Sequence, residues 1–512
     1  MAVNQSHEAV RLDVLLKDLV AEDVLQSCSD VYVNNIVLDH RKANPGDLFI
    51  AYQGLSSHGL LHAQGAIEKG VSVILWDGEC EHKDEILQTV SRSALCLHCE
   101  NLKQISGVIA SRYHGRPSRE LNIIGVTGTD GKTSIAHFIA QCLDSHDVHC
   151  GVMGTLGNGF IHDLHPTGLT TADALKVQES LAEIKDAGAN HVVMEVSSHG
   201  LDQGRINGVE VKTAILSNFS QDHLDYHDTI EEYAQAKKKL FSVPGLKTAI
   251  INLDDEFGRE LAKDCKSRLC VWGYSTQPDI QQTCECADYI VVTEKIEATE
   301  SGYRLSVKTP KGSGSFDIKL LGYFNVSNIL ASLAALLVSE VTFDEAIRKL
   351  STVHPVSGRM EIIAVLDRPI VIVDYAHTPQ GLTAACSAVR EHFSGDMWCM
   401  FGCGGDRDKL KRPLMAKVAE KYADHIIVTS DNPRFEKPER IIEEIMSGFV
   451  KLDNVEVIQD RKLAIYKAVQ AAKAGDVILL AGKGHEASQI VDDVHIAFDD
   501  RRVARESLGV DT

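Results

Sequence analysis

The segment GTDGKT, at residues 128–133, has the residue types and spacing of a phosphate-binding loop. It stands between an apolar run, LNIIGVT at 121–127, and a helical pattern that begins at Thr133. In such a loop, backbone amides and a helix N-terminus point at phosphate oxygens, a lysine reaches the β- and γ-phosphates, and a hydroxyl ligates Mg²⁺. Lys132 and Thr133 are the candidates for these two roles. Val126 stands where the strict pattern has its first glycine, so this loop is a shorter variant.

Three residues further along the chain are candidates for a metal centre beside this loop. Glu195 closes a predicted strand and His223 follows the next one, so both are expected at the phosphate end of the sheet. Carboxylate, hydroxyl and imidazole groups suit divalent ions that bridge phosphate oxygens. Lys237 begins a KKK run on a predicted helix, where a solvated basic face is the alternative, and spacing alone does not single it out.

A second candidate site is the segment DNPR at 431–434, which follows a predicted strand. Its arginine presents a planar guanidinium, which pairs bidentately with a carboxylate. Taken alone, the segment is equally compatible with an ordinary turn after a strand. Together with the phosphate loop, it suggests an enzyme that uses ATP to join a group to an amine that carries an extra carboxylate.

Both candidate sites follow apolar runs that alternate with helical patterns, which predicts parallel sheets covered on both faces. In the first series, strands are predicted at 121–127, 191–196 and 213–218, and helices at 133–143 and 230–241. In the second, strands are predicted at 371–376, 397–402, 425–430 and 476–482, and helices at 379–392, 411–422, 438–449 and 462–472. Ligands bind at the carboxyl ends of strands in such sheets, so the loops there define two binding faces.

The bulk composition limits the remaining possibilities. The 512 residues suggest three domains, placed at 1–103, 104–352 and 353–512. The net charge of −20 argues against general binding of nucleic acid or membrane surfaces. The 13 scattered cysteines favour reduced thiols in a cytoplasm over a disulfide framework, and no apolar run is long enough to span a membrane. We expect a cytoplasmic monomer without a secretory signal.

Ten motifs occur in one order along the chain: VTGTDGKT, MEVSSHGL, SNFSQDHLDYH, YAQAK, GYFNVSN, SGRME, VDYAHTP, FGCGGDRD, DNPR and AGKGHE. In these motifs the chain resembles the Mur ligases of peptidoglycan synthesis over essentially its full length. The resemblance implies an α/β fold with a mixed α/β UDP-binding domain, a central P-loop ATPase domain with a parallel sheet, and a C-terminal Rossmann-like domain. It also implies the ATP-dependent addition of a diamino acid to UDP-MurNAc-L-Ala-D-Glu.

The resemblance assigns the nucleotide and metal ligands residue by residue. Positions that match ATP contacts are Gly128, Thr129, Asp130, Gly131, Lys132, Thr133, Ser134, Asn325, Asn328, Arg359 and Asp374. Positions that match ligands of two Mg²⁺ ions are Thr133, Glu195, His223 and Lys237, the last as a carbamate. Lys132, Glu195, His223 and Lys237 are thereby implied to be catalytic. Asp130 adds a carboxylate near the phosphates, which is unfavourable unless it faces away or meets Mg²⁺.

The two other substrates are assigned in the same way. Positions that match UDP-sugar contacts are Leu38, His40, Ser56, Thr170, Thr171, Ser197, Gln203 and Arg205. The family commonly has serine at the position of His40 and often asparagine at that of Leu169, so this chain departs from the family pattern at one uridine and one muramoyl position. DNPR resembles the form that selects meso-diaminopimelate over L-lysine, and positions that match contacts to this amino acid are Arg407, Asp431, Asn432, Pro433, Arg434, Gly482 and Glu486.

The implied mechanism passes through an acyl phosphate that an amine attacks, and His377 is a candidate base by location only. Two alternative functions are of the same class. One is the same ligase acting on L-lysine, and the other is a ligase like folylpolyglutamate synthase, which should lack DNPR and the GKGHE loop. A non-catalytic nucleotide-binding protein is the reading of another class, and the presence of Glu195, His223 and Lys237 argues against it.

Overall fold

The structure, a computed structural model, describes residues 9–54, 57–144, 148–222, 226–280, 284–299 and 301–510. Its strands are β1 (Val10–Arg11), β2 (Tyr32–Val33), β3 (Ile36–Val37), β4 (Leu48–Ala51), β5 (Val73–Trp76), β6 (Leu95–His98), β7 (Asn122–Thr127), β8 (Cys150–Gly154), β9 (Gly157–Phe160), β10 (Asp163–His165), β11 (His191–Glu195), β12 (Val211–Leu216), β13 (Thr248–Asn252), β14 (Cys270–Ser275), β15 (Tyr289–Thr299), β16 (Gly302–Thr309), β17 (Gly312–Ile318), β18 (Glu361–Ile363), β19 (Ile370–Asp374), β20 (Met397–Phe401), β21 (His425–Val428), β22 (Val455–Val457), β23 (Val477–Ala481), β24 (Ser488–Val491) and β25 (Val494–Ala497).

The α-helices are α1 (Leu12–Leu16), α2 (Glu22–Ser27), α3 (Ala63–Glu68), α4 (Lys83–Val90), α5 (Leu102–Tyr113), α6 (Lys132–Leu143), α7 (Ala174–Asp186), α8 (Ser198–Asp202), α9 (Ile230–Lys238), α10 (Glu256–Lys266), α11 (Phe324–Val338), α12 (Phe343–Leu350), α13 (Pro379–His392), α14 (Lys411–Tyr422), α15 (Pro438–Met446), α16 (Arg461–Ala471) and α17 (Asp500–Leu508). The chain forms two compact units: residues 1–125, 145–212 and 239–246 make the first, and residues 126–144, 213–238 and 247–512 make the second.

The first unit begins with a small sheet in the order β3-β4-β5-β6, with all pairs parallel. Helices α1 and α5 cover one face of this sheet, and α3 and α4 cover the other. Both faces are therefore buried and carry apolar side chains. The same unit holds the strand order β10-β9-β8-β11-β7, in which β8 and β11 are parallel. The end of β11 carries Glu195 into this unit's candidate site.

The second unit holds a run of strands in the order β12-β13-β14-β15-β16-β17. The first four are parallel, and β15 to β17 form an antiparallel meander. Helix α11 is buried almost all round, which fits its continuous apolar sequence. Helix α6 belongs to the same unit and begins directly after the phosphate loop.

The C-terminal part of the second unit is a six-stranded sheet in the order β18-β19-β23-β20-β21-β22. All pairs are parallel except β18 with β19. Its strands are apolar on both faces, and each face has its own buried cluster under helices. A separate hairpin, β24–β25, follows β23 and reaches the DNPR segment.

The predicted α/β class with parallel sheets is confirmed, whereas the limits 1–103, 104–352 and 353–512 stay a prediction. A disulfide joins Cys284 and Cys286, so the expectation that every thiol is reduced is wrong for this pair. The other cysteines are free. Among the described helices, none combines the length and apolar character needed to cross a bilayer.

Candidate functional site

The phosphate loop connects β7 to α6 and adopts a conformation that glycine favours. Gly131 has φ of 82° and is the N-cap residue of α6, and no side chain of the described residues caps this helix terminus. A Cβ on Gly131 would lie 2.5 Å from Oδ1 of Asn328, and one on Gly128 would lie 1.9 Å from Oγ of Ser217. Only glycine therefore fits at either end of this loop.

Two lysines converge on the first residue of the loop. Nζ of Lys132 donates to the carbonyl oxygens of Gly128 and Thr129 at 3.0 and 2.9 Å. Nζ of Lys237 donates to the same Gly128 oxygen at 2.7 Å and lies 4.2 Å from the ring centre of Tyr233. Lys237 is 1% exposed, and its burial, aided by the charge of Lys132, holds its pKa well below the ordinary value. The solvated basic face considered from the sequence is thus wrong for Lys237, while Lys238 pairs with Asp264 at 3.1 Å.

The other predicted nucleotide residues of the second unit lie around the same loop. Asn328 donates to Oδ1 of Asn325 at 2.9 Å on α11, and its own Oδ1 faces Gly131. The hydroxyl of Thr133 accepts from Arg359 at 3.4 Å. Arg359 also stacks 4.3 Å from the ring centre of Tyr375. The structure therefore brings a residue of the C-terminal sheet to the phosphate loop.

Asp374 ends β19 behind this arginine. Its carboxylate accepts from the backbone amides of Met360 and Ala376, both at 2.8 Å. Burial raises its pKa, and the charge of Arg359 opposes that rise. Thr129 and Ser134 are buried in the loop and its helix, and the amide of Asp130 donates to Asn218 at 2.8 Å.

In the first unit, Glu195 ends β11 in a preorganised setting. Its carboxylate accepts from the amide of Thr155 at 2.9 Å and from the Thr155 hydroxyl at 3.1 Å. The same hydroxyl oxygen lies 3.0 Å from the hydroxyl of Thr170, which links the two threonines. A Cβ on Gly154 would lie 2.2 Å from Oε1 of Glu195, so glycine leaves room for this carboxylate.

The predicted UDP-sugar residues of the first unit cluster beside Glu195. Oγ1 of Thr171 accepts from the amide of Ser197 at 3.0 Å, and Arg205 donates to the carbonyl of Thr171 at 2.6 Å. Arg205 also holds Oε1 of Gln203 through two nitrogens, at 3.1 and 2.8 Å. Burial raises the pKa of Tyr52 to about 12, and the charge of nearby Asp173 adds to that rise.

The remaining predicted UDP-sugar residues lie in the N-terminal part of the first unit. Leu38 packs on the core of the small sheet. His40 stacks on His62, with ring centres 4.9 Å apart and planes within 5°. Ser56 lies outside the described residues, and so does the predicted metal ligand His223.

The DNPR segment holds its arginine in an uncommon backbone conformation. Arg434 has φ of 51°, and Nη1 donates to the carbonyl of Gly405 at 2.9 Å. The backbone of Arg434 pairs with the hairpin, because its amide donates to Ile490 and its carbonyl accepts from Asp492. Burial lowers the pKa of Arg434, and the neighbouring charge of Arg407 lowers it further. No carboxylate of the described ranges lies within ion-pair distance of either guanidinium.

Asp431, Asn432 and Glu486, which are also predicted for the amino acid, are joined in one network through Lys483. Nδ2 of Asn432 donates to Oε2 of Glu486 at 2.8 Å. Lys483, fully buried, donates to Oδ1 of Asn432 at 3.0 Å and to Oε2 of Glu486 at 2.9 Å. Burial acts to raise the pKa of Asp431, but the charges of Lys483 and Arg461 outweigh it and lower the pKa. Gly482, with φ of 113°, leaves space for the Asp431 carboxylate.

Comparison with known proteins identifies the family. The model "Mur ligase middle domain" matches residues 126–336, and the model "Mur ligase, glutamate ligase domain" matches residues 358–484. The UDP-N-acetylmuramoyl-L-alanyl-D-glutamate--2,6-diaminopimelate ligase of Coxiella burnetii is 42% identical over 480 residues, which cover 94% of this chain and 96% of that protein. The chain belongs to the Mur ligase family. The Pseudomonas aeruginosa protein of the same name is 42% identical to this Mur ligase over 487 residues, which cover 94% of the chain and 96% of the relative.

A solved structure supports the same relationship. It carries the name UDP-N-acetylmuramoyl-L-alanyl-D-glutamate--2,6-diaminopimelate ligase and is 33% identical, with a TM-score of 0.68. The comparison covers 98% of this Mur ligase and 99% of the solved chain. Family membership makes the protein an ATP-dependent ligase and implies ATP and Mg²⁺ as cofactors.

The described residues of this Mur ligase fit both groups. The two glycines leave a cradle that any side chain would fill, and the N-terminus of α6 suits the negative charge of a polyphosphate. The hydroxyl of Thr133 and the carboxylate of Glu195 are oxygen donors of the kind that Mg²⁺ prefers. Among the residues that the structure describes, no group of three or more histidine, cysteine, aspartate or glutamate side chains forms a metal cluster. Two of the predicted ligands, Thr133 and Lys237, are of other residue types, and His223 lies outside the described residues.

Several residues around the site of this Mur ligase were not predicted from the sequence. Lys483 lies inside the GKGHE motif and Tyr375 inside DYAHTP, yet neither position was singled out. Tyr233 opens the YAQAK motif without having been singled out, and Thr155 lies outside all ten motifs. A charged residue flanked by apolar strand and glycines, as in LLAGKG, was the available signal for Lys483, because such a lysine must be buried with partners.

Proposed function

We propose that this Mur ligase joins meso-2,6-diaminopimelate to the γ-carboxylate of the D-glutamyl residue of UDP-MurNAc-L-Ala-D-Glu, with hydrolysis of ATP to ADP and phosphate, in peptidoglycan biosynthesis. Relatives that are 42% identical over 94% of the chain are named as ligases of this reaction, which supports the proposal. Folylpolyglutamate-synthase-like activity is disfavoured, because the chain carries both the DNPR and the GKGHE segments.

The observation that carries the choice of amino acid is the pair of guanidiniums at Arg434 and Arg407. Burial and the charge of Arg407 lower the pKa of Arg434, and neither guanidinium has a carboxylate partner within the described part of the chain. A distal carboxylate on the incoming amino acid supplies that partner bidentately. L-Lysine would instead leave the guanidiniums unpaired and bring its own ammonium close to them.

The reaction proceeds through an acyl phosphate. The D-glutamyl γ-carboxylate attacks the γ-phosphorus of ATP and ADP leaves; the amine of diaminopimelate then attacks the acyl carbon, and phosphate leaves. Lys132 neutralises charge on the phosphoryl oxygens as the transfer proceeds. Bound Mg²⁺, held by Thr133, Glu195, His223 and Lys237, would supply further charge neutralisation. Asn325, Asn328, Arg359 and Asp374 hold the nucleoside and phosphate ends in our assignment.

Lys237 is our candidate for carbamylation. Carbon dioxide adds to a neutral amine, and burial together with the charge of Lys132 lowers the pKa of Lys237 and so favours that form. Carbamylation would replace a buried ammonium by a carboxylate-like group that can ligate a metal ion. This group would lie beside the phosphate loop, since Nζ of Lys237 is 2.7 Å from the Gly128 carbonyl oxygen. Burial of the side chain would protect the adduct from water.

His377 is our candidate base for the incoming ammonium. Its Nδ1 lies 2.8 Å from the carbonyl of Tyr375, and a carbonyl only accepts, so Nδ1 carries the proton of the neutral ring. Nε2 then keeps a lone pair that can take a proton from the amine. Replacing His377 should slow turnover and leave ATP binding intact; weakened nucleotide binding would count against this role.

The UDP-sugar end belongs to the first unit in this proposal. Thr170, Thr171, Ser197, Gln203 and Arg205 already form one hydrogen-bonded cluster beside Glu195. His40 would meet the uridine as a stacked ring rather than as a hydroxyl. We place the reaction in the cytoplasm and expect a monomer.

The deciding experiment measures phosphate release from ATP with UDP-MurNAc-L-Ala-D-Glu and Mg²⁺, with meso-diaminopimelate or L-lysine as the amine. Turnover with diaminopimelate alone is expected. Turnover with lysine alone would keep the ligase and refute the role of the guanidinium pair. Absence of turnover with both would refute the proposed reaction.

A further inference from the structure

The buried ammonium of Lys483 stands at the centre of the DNPR network without facing the solvent. It is 0% exposed, as few lysines are. Two of its hydrogens meet Oδ1 of Asn432 at 3.0 Å and Oε2 of Glu486 at 2.9 Å, and the ammonium also forms an ion pair with Oδ1 of Asp431 at 3.9 Å. A buried cation of this kind is tolerated only when such partners surround it.

The contacts of Lys483 fix which way the Asn432 amide points. Oδ1 of Asn432 accepts from both Lys483 and the backbone amide of Ile490, at 3.0 Å each. Because two donors occupy the oxygen, the amide cannot flip, and Nδ2 must face Glu486. Without Lys483, the amide would lose one of the two donors that distinguish its orientations.

The same ammonium fixes the Glu486 carboxylate. Oε2 accepts from Lys483 and from Asn432, at 2.9 and 2.8 Å. Oε1 has no hydrogen-bond partner in the described ranges, and the side chain is 29% exposed. One oxygen is therefore anchored while the other stays open to an ammonium group of a ligand.

We propose that Lys483 is a positioning residue for the amino-acid substrate: it holds Asn432 and Glu486 in the orientation that recognises the zwitterionic end of the incoming diamino acid. The inference rests on the proposed function, because it deepens the same site. Lys483 itself does not touch the substrate. It acts through the two side chains that it anchors.

The test is a kinetic comparison of wild type with Lys483→Met. At saturating ATP and UDP-sugar substrate, we expect the KM for the amino acid to rise about 10- to 100-fold, because displacing a binding group by about 1 Å has effects of this size. The KM for ATP should stay unchanged, and kcat should be largely retained at saturating amino acid. A purely structural role would instead lower the melting temperature and the active fraction with no selective change in KM.

Arg390→Met is the matched control. Arg390 lies on α13, which packs on the same C-terminal sheet, and it donates to the Tyr422 carbonyl and to Asp424. Its replacement therefore also removes a paired cation. Its KM for the amino acid should equal that of the wild type. If Lys483→Met does not fold, Lys483→Gln keeps a donor to Asn432 without the charge, and it should show the same selective rise in KM.

The same assays distinguish a failure of the role of Lys483 from a failure of the proposed reaction. The wild type is first assayed with meso-diaminopimelate, L-lysine and L-glutamate, and the variants are judged on whichever is accepted. Acceptance of another amino acid would refute the proposed substrate. The role of Lys483 would then be tested by comparing the KM values of wild type and variants for the accepted amino acid. An unchanged KM, or an equal rise in Arg390→Met, would overturn the inference alone. A wild type that accepts no amino acid would overturn both.

Discussion

Nζ of Lys237 lies 2.7 Å from the carbonyl oxygen of Gly128, the first residue of the phosphate loop. The lysine thus contacts the phosphate loop from helix α9, which lies about a hundred residues further along the sequence. Nothing in the spacing of the KKK run distinguishes Lys237 from the two lysines that follow it. Burial makes the distinction, because Lys237 is enclosed while Lys238 reaches Asp264.

Replacing Lys237 with methionine should reduce kcat by about 100-fold or more, since one preorganised electrostatic group at a reacting phosphate contributes on this scale. ADP binding should persist. The intact protein should carry the mass of one added carbon dioxide at Lys237, visible by native mass spectrometry in bicarbonate. Lys238→Met is the control and should retain activity. Full activity of Lys237→Met would refute the metal-ligand role.

Replacing Arg434 with methionine should lower kcat/KM for meso-diaminopimelate by about 10- to 100-fold, because a hydrogen-bonded ion pair is worth about 1.5–3 kcal/mol. Turnover with L-lysine should be unchanged or improved, since a repulsive charge is removed. The measurement is phosphate release with each amine. Arg440→Met, which changes an exposed side chain of α15, serves as the control. An equal loss with both amines would show that Arg434 supports the loop and does not select the substrate.

Replacing Gly131 with alanine should abolish tight ATP binding, measured by calorimetry. The new Cβ would lie 2.5 Å from Oδ1 of Asn328 and displace a side chain assigned to the nucleotide. Gly245→Ala is a matched control, because Gly245 has the same φ of 82° and open space around the position of a Cβ. Both variants should lose about 1 kcal/mol of stability from the left-handed backbone. Equal loss of ATP affinity in both would contradict a steric cause.

Acid should destabilise this protein through His137, which is 4% exposed on α6. Burial, with a contribution from the charge of Arg359, lowers its pKa from 6.5 to about 4. Between these pH values the unfolded chain binds a proton that the folded chain does not, so stability falls as pH falls. The loss should approach about 3 kcal/mol at pH 4 and then level off.

The measurement for His137 is the urea midpoint of unfolding between pH 7 and pH 4. His137→Gln should show a smaller decline with acid than the wild type. His165→Gln changes a mostly exposed side chain and should decline as the wild type does. An identical pH dependence in all three proteins would rule out His137 as a source of acid sensitivity.

The sequence was sufficient for the regular elements that surround both sites. Helices α13 and α14 begin and end where predicted, because a proline or a charged residue opens each and apolar spacing runs to its end. The predicted helix at 438–449 ends three residues early, and the one at 230–241 finishes as a 3₁₀ turn. Helix ends depend on local backbone bonds that apolar spacing does not encode.

Long-range contacts were the part that the sequence could not supply. The stacking of Arg359 on Tyr375 and the burial of Lys483 depend on which loops the sheet order brings together. Hairpin β24–β25 was missed, because its two-residue turn at 492–493 is Asp-Asp rather than a glycine pair. His223 and Ser56 remain predictions, since they lie outside the described residues.

The hairpin holds the DNPR segment through its main chain: the carbonyl of Ile490 and the amide of Asp492 bond to Arg434, and the amide of Ile490 bonds to Asn432. A hold of this kind does not depend on the identity of the hairpin side chains. Val494 and Ile496 are 61% and 49% exposed. These outward positions can therefore change in evolution without altering the choice of amino acid. Proline at 490 or 492 should be selected against, because it lacks the amide hydrogen that bonds to the DNPR segment. A family alignment would therefore show low conservation of sequence directly beside a strictly kept specificity loop.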